Sequence, residues 1–321
     1  MVIRSILLSV LLVFGTMACQ NLVTEIDPSR LPQMDRKLVV NGYLSPQDTV
    51  LAVSVSSSQT VLGDIVGDSV NTVGEATVTI RSEGKAITLA YDPAERAYLA
   101  DARRFPIQAG KTYTVQVDAP GFETVTSSCT VPQAVPVAEL KLDSTRNYTD
   151  SGIELTWTYG VRVVWQDPAG ETNFYRVVGY GECLSRIPPT GTAHIDSTTP
   201  KVLTRGIIGF GRLEQFISDR NQDGQRLVSA RGEVPRFFDY AYYDSTTQQT
   251  YSGSHFYTKP LTLRLSVLQT DENYYRYHRA RQQQRQSQGN PFAEPILMPS
   301  NIQGGLGCFA AYNRSTMEVR L

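Results

Sequence analysis

The chain has 321 residues, with 30 Lys and Arg against 31 Asp and Glu, so its formal net charge is −1. Hydrophobic residues make up 41% of the chain, which is enough apolar mass for folded cores and excludes an intrinsically disordered protein. A nucleic-acid-binding protein would carry a large positive excess, which this chain lacks. The length suggests two domains of about 150 residues each.

The N-terminus has the pattern of an export signal. One positive charge, Arg4, precedes the apolar run Ile6–Phe14, and small residues then lead to Ala18 and Cys19. The apolar run is too short to span a hydrocarbon layer of ~30 Å. A cysteine at this point resembles the lipobox of bacterial lipoproteins, although Thr16 stands where leucine is usual. The resemblance implies a signal peptide at 1–18 and acyl chains attached at Cys19, which would anchor a soluble domain to a membrane.

Residues 19–36 contain two prolines and no periodicity, so we expect a tether. From residue 37 onward the dominant hydrophobic period is two, as in Leu51–Val55 and Tyr113–Val117, which is typical of strands with one buried face. Ala119–Phe122 places Pro second and Gly third, as a type II turn requires. The sequence therefore predicts one β-sandwich over 37–131, similar to immunoglobulin-like and transthyretin-like domains.

The remainder, 132–321, is predicted to be a second β-rich domain that resembles a fibronectin type III sandwich with insertions. Strands are expected at Val161–Trp165 and Phe174–Val178, joined by a type I turn at Asp167–Gly170, whereas residues 181–249 are expected to be loops and insertions. One helix is expected near 270–286, capped by Thr270. The predicted fold class is thus mainly all-β with one helix in the C-terminal half.

The sharpest local motif is a six-residue run that begins at Asp219. Asp219, Asn221 and Asp223 offer oxygen atoms at positions 1, 3 and 5, and Gly224 follows at position 6, as in a calcium-binding loop. Position 12 is Ala230 instead of a bidentate Glu. The alternative is a tight turn in which Asn and Asp bond their own backbone. Calcium is the one cofactor that the sequence suggests.

Two further features concern cysteines and aromatic residues. With Cys19 lipidated, Cys183 and Cys308 both lie in the second half and could form a disulfide in an oxidising envelope. A Tyr-rich stretch offers a contact loop, because exposed aromatic side chains give large contact area at low entropic cost. The alternative for that stretch is a strand with one buried aromatic face. The candidate contact residues are Phe237, Tyr240, Tyr242 and Tyr243.

The sequence contains no G-x-S-x-G, no H-E-x-x-H and no Gly-rich phosphate loop, so nothing points to an enzyme. Taken together, its motifs resemble a Bacteroidota outer-membrane lipoprotein family known as domain of unknown function 4249. The resemblance rests on Leu38–Gly42, Ala109–Tyr113, Trp165–Pro168, Asn290–Pro295 and Gly304–Gly307.

The resemblance implies a non-enzymatic accessory protein at the outer membrane, associated with a TonB-dependent receptor in nutrient capture. We therefore expect a lipid-anchored binding or interaction module whose ligand is unknown. The alternatives are a surface enzyme that processes glycans or proteins, and a structural or adhesion protein of the envelope. The first alternative predicts two carboxylates a few ångströms apart, or a metal.

Overall fold

The protein is seen here in a computed structural model, which describes residues 35–58, 71–148, 155–186, 201–234, 239–244, 249–254, 261–288, 290 and 292–321. These residues form eighteen strands and one α-helix, and the predicted, mainly all-β fold is confirmed. Within the described ranges, no helix has both the length and the apolar character that a membrane crossing needs.

The N-terminal part of the fold contains seven strands, of which the second shows the predicted alternation of buried and exposed residues over its whole length. The strands are β1 (Leu38–Leu44), β2 (Val50–Ser57), β3 (Thr77–Ser82), β4 (Lys85–Asp92), β5 (Ala97–Asp101), β6 (Thr112–Asp118) and β7 (Val125–Thr130). The predicted type II turn is present, since the N–H of Phe122 donates to the carbonyl of Ala119 and Gly121 has φ of 78°.

The C-terminal part contains eleven strands and the helix. They are β8 (Val137–Tyr148), β9 (Leu155–Gln166), β10 (Phe174–Arg186), β11 (Lys201–Ile207), β12 (Phe216–Ser218), β13 (Arg226–Val228), β14 (Gly232–Glu233), β15 (Asp239–Asp244), β16 (Gln249–Ser254), β17 (Thr262–Thr270), α1 (Glu272–Ser287) and β18 (Leu306–Arg320). The expectation that residues 181–249 are loops and insertions was wrong in part, because β10 runs on into this region and β11–β15 lie within it.

One hydrogen-bonded sheet runs through both parts, in the order β11-β10-β17-β18-β1-β2-β5-β4-β3-β6-β7. The joint is a parallel pair between β1 and the first residues of β18, where Val39 aligns with Leu306 and Leu44 with Ala311. The later residues of β18 pair antiparallel with β17. A single C-terminal strand therefore links the N-terminal strands of this sheet to its C-terminal strands.

The first hydrophobic core lies inside the N-terminal sandwich. It contains the alternating residues of β1, β2, β3 and β6, and it also takes Ile302, Phe309 and Ala311 from the C-terminal segment. Ser127 on β7 donates its hydroxyl to the carbonyl of Asn301 at 2.8 Å, so this segment closes one side of the sandwich. Cys129 is buried in the same core.

The second core lies between two layers. One layer is β9 with β8, β13 and β14 alongside it, and the other is the part of the large sheet formed by β10, β11 and β17. Trp165 and Tyr175 meet edge to face at a centroid distance of 5.3 Å, and both are fully buried. Valine and leucine side chains of β9 and β17 pack around this pair, together with Ile208 and Phe210 from the segment after β11.

Helix α1 packs on the outside of the large sheet, over β1 and β18. Its N-cap is Asp271 instead of the expected Thr270, because the Asp271 side chain accepts from the N–H of Tyr274 at 2.7 Å. The same carboxylate accepts from the N–H of Ala311 on β18 at 2.8 Å. The Tyr274 ring lies 5.6 Å from that of Tyr43 on β1, so the aromatic face of the helix meets the sheet where β1 and β18 pair.

The close approach of β1 and β18 generates a first prediction. Gly307 has φ of 110°, and a Cβ there would lie 2.1 Å from the carbonyl oxygen of Val40. We expect Gly307→Ala to lower the free energy of unfolding by about 3 kcal/mol or more, since overpacking adds to the cost of positive φ. Chemical denaturation measures this loss.

A matched control is Gly84→Ala. Gly84 also has positive φ, at 78°, but a Cβ there meets nothing within 4 Å. This variant should lose only about 1–2 kcal/mol, the cost of the left-handed conformation. Equal losses in the two variants would contradict a steric constraint between β1 and β18.

Candidate functional site

Three carboxylates converge beside the second core. One oxygen from each of Asp167, Asp219 and Asp223 lies within 4.8 Å of one oxygen from each of the others. Asp167 and Asp219 are 2% and 1% exposed, respectively, whereas Asp223 faces solvent. Among the described residues, these three form the only group of His, Cys, Asp or Glu side chains with spacing suited to a metal ion.

Asp167 follows the last residue of β9, so the buried strand that carries Trp165 fixes its position. Its Oδ1 accepts from the hydroxyl of Tyr175 at 2.5 Å, and its Oδ2 accepts from the N–H of Gly224 at 2.8 Å. Burial raises the pKa of Asp167, these hydrogen bonds lower it, and the charges of Asp219 and Asp223 raise it. Proximity to the other two carboxylates thus disfavours the charged form of Asp167.

Asp219 follows the end of β12 and is held by the residue that precedes β10. Its Oδ2 accepts from the backbone N–H of Asn173 at 2.9 Å and from the Asn173 side-chain amide at 3.4 Å. The amide of Gln269 on β17 donates to Asn173 Oδ1 at 2.6 Å. A buried polar chain therefore connects Asp219 through Asn173 to the large sheet.

Asp223 and Gly224 join the two turns of the site. Both oxygens of Asp223 accept from the N–H of Gly170, the nearer at 2.9 Å. Gly224 has φ of 68°, and a Cβ there would lie 2.7 Å from the Cβ of Ala169. Glycine is therefore required at position 224 both by its backbone conformation and by the close packing of the turns.

The predicted calcium loop contains two of these three residues. Asp219 and Asp223 do converge, whereas Asn221 is exposed. Sequence reasoning missed Asp167, which lies 52 positions before Asp219 in the chain. The expected turn at Asp167–Gly170 was a signal for it, because that turn ends one buried strand and leads into the next. The site is built from two separate turns instead of one continuous loop.

The predicted disulfide was wrong, because Cys183 and Cys308 form no bond with each other. The Cys183 sulfur lies 3.4 Å from the Thr204 hydroxyl, on the strand pair β10–β11. β17 lies between β10 and β18 in the sheet, and across it Cys183 on β10 aligns with the last residues of β18. Cys308 lies near the start of β18. At ~3.3 Å per strand residue the two cysteines are about 40 Å apart, far beyond the ~7 Å that a disulfide allows between Cα atoms.

The other candidate residues lie wholly or partly outside what the structure describes. Cys19 and Phe237 are outside the described residues. Tyr240, Tyr242 and Tyr243 lie on β15, which forms an antiparallel hairpin with β16, but their side chains are outside the described set. The Tyr-rich stretch thus contains a strand, as the alternative interpretation expected, and its role in contact stays a prediction.

A polar groove of about 500 Å³ lies next to the acidic cluster. Residues before β10, the loop after β12 and the N-terminus of α1 line it, including Glu171, Arg220 and Asp271. Burial raises the pKa of Asp271 to about 6, although its hydrogen bonds from Tyr274 and Ala311 lower it. The pKa of Asp271 is thus raised to about 6, within two pH units of neutrality.

Fold and site together define a mainly all-β protein with two sandwich cores, one continuous sheet and an acidic cluster between two turns. The family model for Domain of unknown function (DUF4249) matches residues 22–318, and the chain belongs to this family. No curated protein matches the chain.

The raised pKa of Asp271 predicts a pH-dependent stability. The carboxyl group of Asp271 has a pKa of about 6 in the folded state and about 3.9 in the unfolded state. It therefore stabilises the folded state most below pH 4, and this stabilisation is lost as the pH rises to 6. We expect the free energy of unfolding to fall by up to about 3 kcal/mol over this range.

The measurement compares the wild type with Asp271→Asn by denaturation from pH 4 to pH 7. Asparagine does not titrate, so the difference in unfolding free energy between the two proteins isolates the contribution of Asp271. The wild type should lose stability relative to the variant as the pH rises. A difference that is constant across this range, or one that grows with pH, would contradict the assignment.

Proposed function

We propose that the protein is a non-enzymatic, lipid-anchored protein of the cell envelope and an accessory binding module of a TonB-dependent outer-membrane receptor in nutrient capture. The lipobox-like sequence that ends at Cys19 supports the anchor. The resemblance of the sequence to receptor-associated lipoproteins supports the proposed association with a receptor. Fully extended, residues 19–36 could span at most about 60 Å, so the folded part would stay near the membrane surface.

The observation that carries the proposal is the β11 end of the large sheet, where β11 has a strand partner on one side only among the described residues. β11 is the terminal strand in the hydrogen-bonded order of that sheet. Leu203 and Ile207 on β11 are 54% and 83% exposed. An edge strand with exposed apolar side chains can add a strand from a partner, with main-chain hydrogen bonds for affinity and side chains for specificity. β11 is therefore the surface that best fits a binding module.

The acidic cluster provides the close carboxylates that the surface-enzyme alternative expects, whereas the histidine in the described part of the chain is not placed for acid–base chemistry. The His278 ring lies on α1, with centroids 4.7 Å from Tyr43 and 4.2 Å from Tyr274. Burial, together with nearby arginines, lowers its pKa to about 3. A histidine that stays neutral and packed between two tyrosines is a poor general base at neutral pH.

The anchor is tested by mass spectrometry of Cys19 in the membrane fraction. We expect the N-terminal peptide to begin at Cys19 and to carry a diacylglycerol and acyl chains. A Cys19→Ser control should move the protein out of the membrane fraction. An unmodified Cys19 in wild-type protein would refute the anchor.

The partnership is tested by extraction of the full-length protein in mild detergent. We expect it to co-purify with a large outer-membrane barrel, and Ile207→Lys to reduce the recovered barrel at least tenfold. The melting temperature of this variant should stay nearly unchanged, because substitution of an exposed side chain costs little.

The matched control is Val50→Lys on β2. Val50 is 49% exposed and lies on an interior strand of the same sheet, paired with β1 and β5 and away from β11, so this variant should retain the barrel. A clean monomer after extraction of the wild type would refute the partnership. Retention of the barrel by Ile207→Lys would place the contact elsewhere than β11.

A further inference from the structure

We propose that Asp167, Asp219 and Asp223 bind one Ca²⁺ ion, which joins the turn after β9 to the loop after β12. This site does not depend on the proposed function, because it rests on the interior chemistry of the second core. Four observations carry it: an oxygen atom without a hydrogen bond, uncompensated charge, the spacing of the ligands, and the position of the two turns in the fold.

The oxygen atom is Oδ1 of Asp219. Asn173 supplies both hydrogen bonds to the other oxygen of this carboxylate, Oδ2. Asp219 is only 1% exposed. Its Oδ1 atom is buried from solvent and has no hydrogen-bond partner. Buried carboxylate oxygens are rarely left without a donor or a cation, because desolvation without compensation is costly. A cation at the cluster would supply the missing interaction.

The charge of the cluster is also uncompensated. Among the described residues, no salt bridge includes Asp167, Asp219 or Asp223. Their hydrogen-bond donors are neutral: the hydroxyl of Tyr175, an asparagine side chain and backbone N–H groups. Three carboxylates so close together repel one another, and a divalent ion would remove most of that repulsion.

The spacing is compatible with calcium. For any three atoms no more than 4.8 Å apart there is a point within about 2.8 Å of all of them, close to the 2.3–2.6 Å of Ca²⁺–oxygen bonds. Magnesium needs about 2.0–2.1 Å and near-octahedral geometry, a stricter requirement on carboxylates that two separate turns hold in place. The exposed side of Asp223 leaves room for the water molecules that complete a calcium shell.

The place of the site in the fold indicates what the ion does. Asp167 follows β9, which belongs to one layer of the second core, and Asp219 follows β12, which pairs with β10 in the other layer. An ion bound to both would link the edges of the two layers beside the Trp165–Tyr175 pair. Calcium would thus stabilise the folded state in proportion to its occupancy.

The first experiment adds CaCl₂ to the chelator-treated protein and measures both heat and melting temperature. We expect a dissociation constant of about 10⁻⁴ to 10⁻³ M, as in extracellular calcium modules, and a melting temperature several degrees higher at 5 mM. MgCl₂ should give a much smaller shift. No change of melting temperature with 5 mM CaCl₂ would overturn the proposal.

Terbium chloride gives a second, local measurement. The hydroxyl of Tyr175 lies 2.5 Å from Asp167, and the Trp165 ring lies 5.3 Å from that of Tyr175. Tb³⁺ in the cluster should therefore show luminescence excited through these aromatic rings, and CaCl₂ should displace it. Luminescence that CaCl₂ does not displace, or none at all, would count against the site.

Two variants locate the ion. Asp219→Asn and Asp223→Asn should each weaken calcium binding at least tenfold. In chelator, Asp219→Asn should melt at or above the wild-type temperature, because it removes one repelling charge, whereas in 5 mM CaCl₂ it should melt below the wild type. Asp223 is exposed, and its asparagine variant keeps an acceptor for the Gly170 N–H, so this variant provides a test even if Asp219→Asn does not fold.

The matched control is Asp92→Asn, which removes the same charge from a turn outside the cluster, where Asp92 accepts from the N–H groups of Ala94 and Glu95. This variant should keep the full calcium response. An equal calcium response in the wild type, Asp219→Asn and Asp223→Asn would show that the ion binds elsewhere and would overturn the proposal.

Discussion

The parallel contact between β1 and β18 is the constraint on which the rest of the structure depends. It brings the first strand of the N-terminal sandwich and the last strand of the chain into one ladder, with Gly42 opposite Phe309. The Phe309 side chain fills the first core, while neighbouring Ala310 faces the helix side of the sheet. The first core and the cluster under the helix therefore share one strand, and each face of that strand completes a different packing layer.

Local sequence patterns predicted many of the strands and turns. They could not predict which distant segments pair with each other. Alternation over residues such as Val53 and Val115 gave the strands and their buried faces, because that period is a property of a single segment. Residues 181–249 were misjudged because a strand such as β11 gains its stability from β10, and a short polar sequence does not reveal that partner. The helix cap was predicted at Thr270 but is Asp271 for a similar reason. The Asp271 carboxylate accepts a second hydrogen bond from the N–H of Ala311 on β18, a partner that the local sequence does not reveal.

The acidic site shows the same limit. Asp219 and Asp223 were evident because a single turn holds both of them, whereas Asp167 joins them only through the packing of β9 against β10. The disulfide hypothesis failed because strand register, unlike residue spacing, decides how far apart two cysteines lie. Chemistry within one loop is therefore visible in the sequence, and chemistry between loops becomes visible only with the fold.

The central position of β1 has a mechanical consequence if the chain is held by lipid at Cys19. A pull on the membrane tether would enter the fold at Leu38, the first residue of β1. Hydrogen bonds to β2 and β18 lie on both sides of that strand and across its direction. The load would act in shear on two ladders at once, so many bonds would have to break together. The attachment point would thus be one of the most force-resistant places in the molecule.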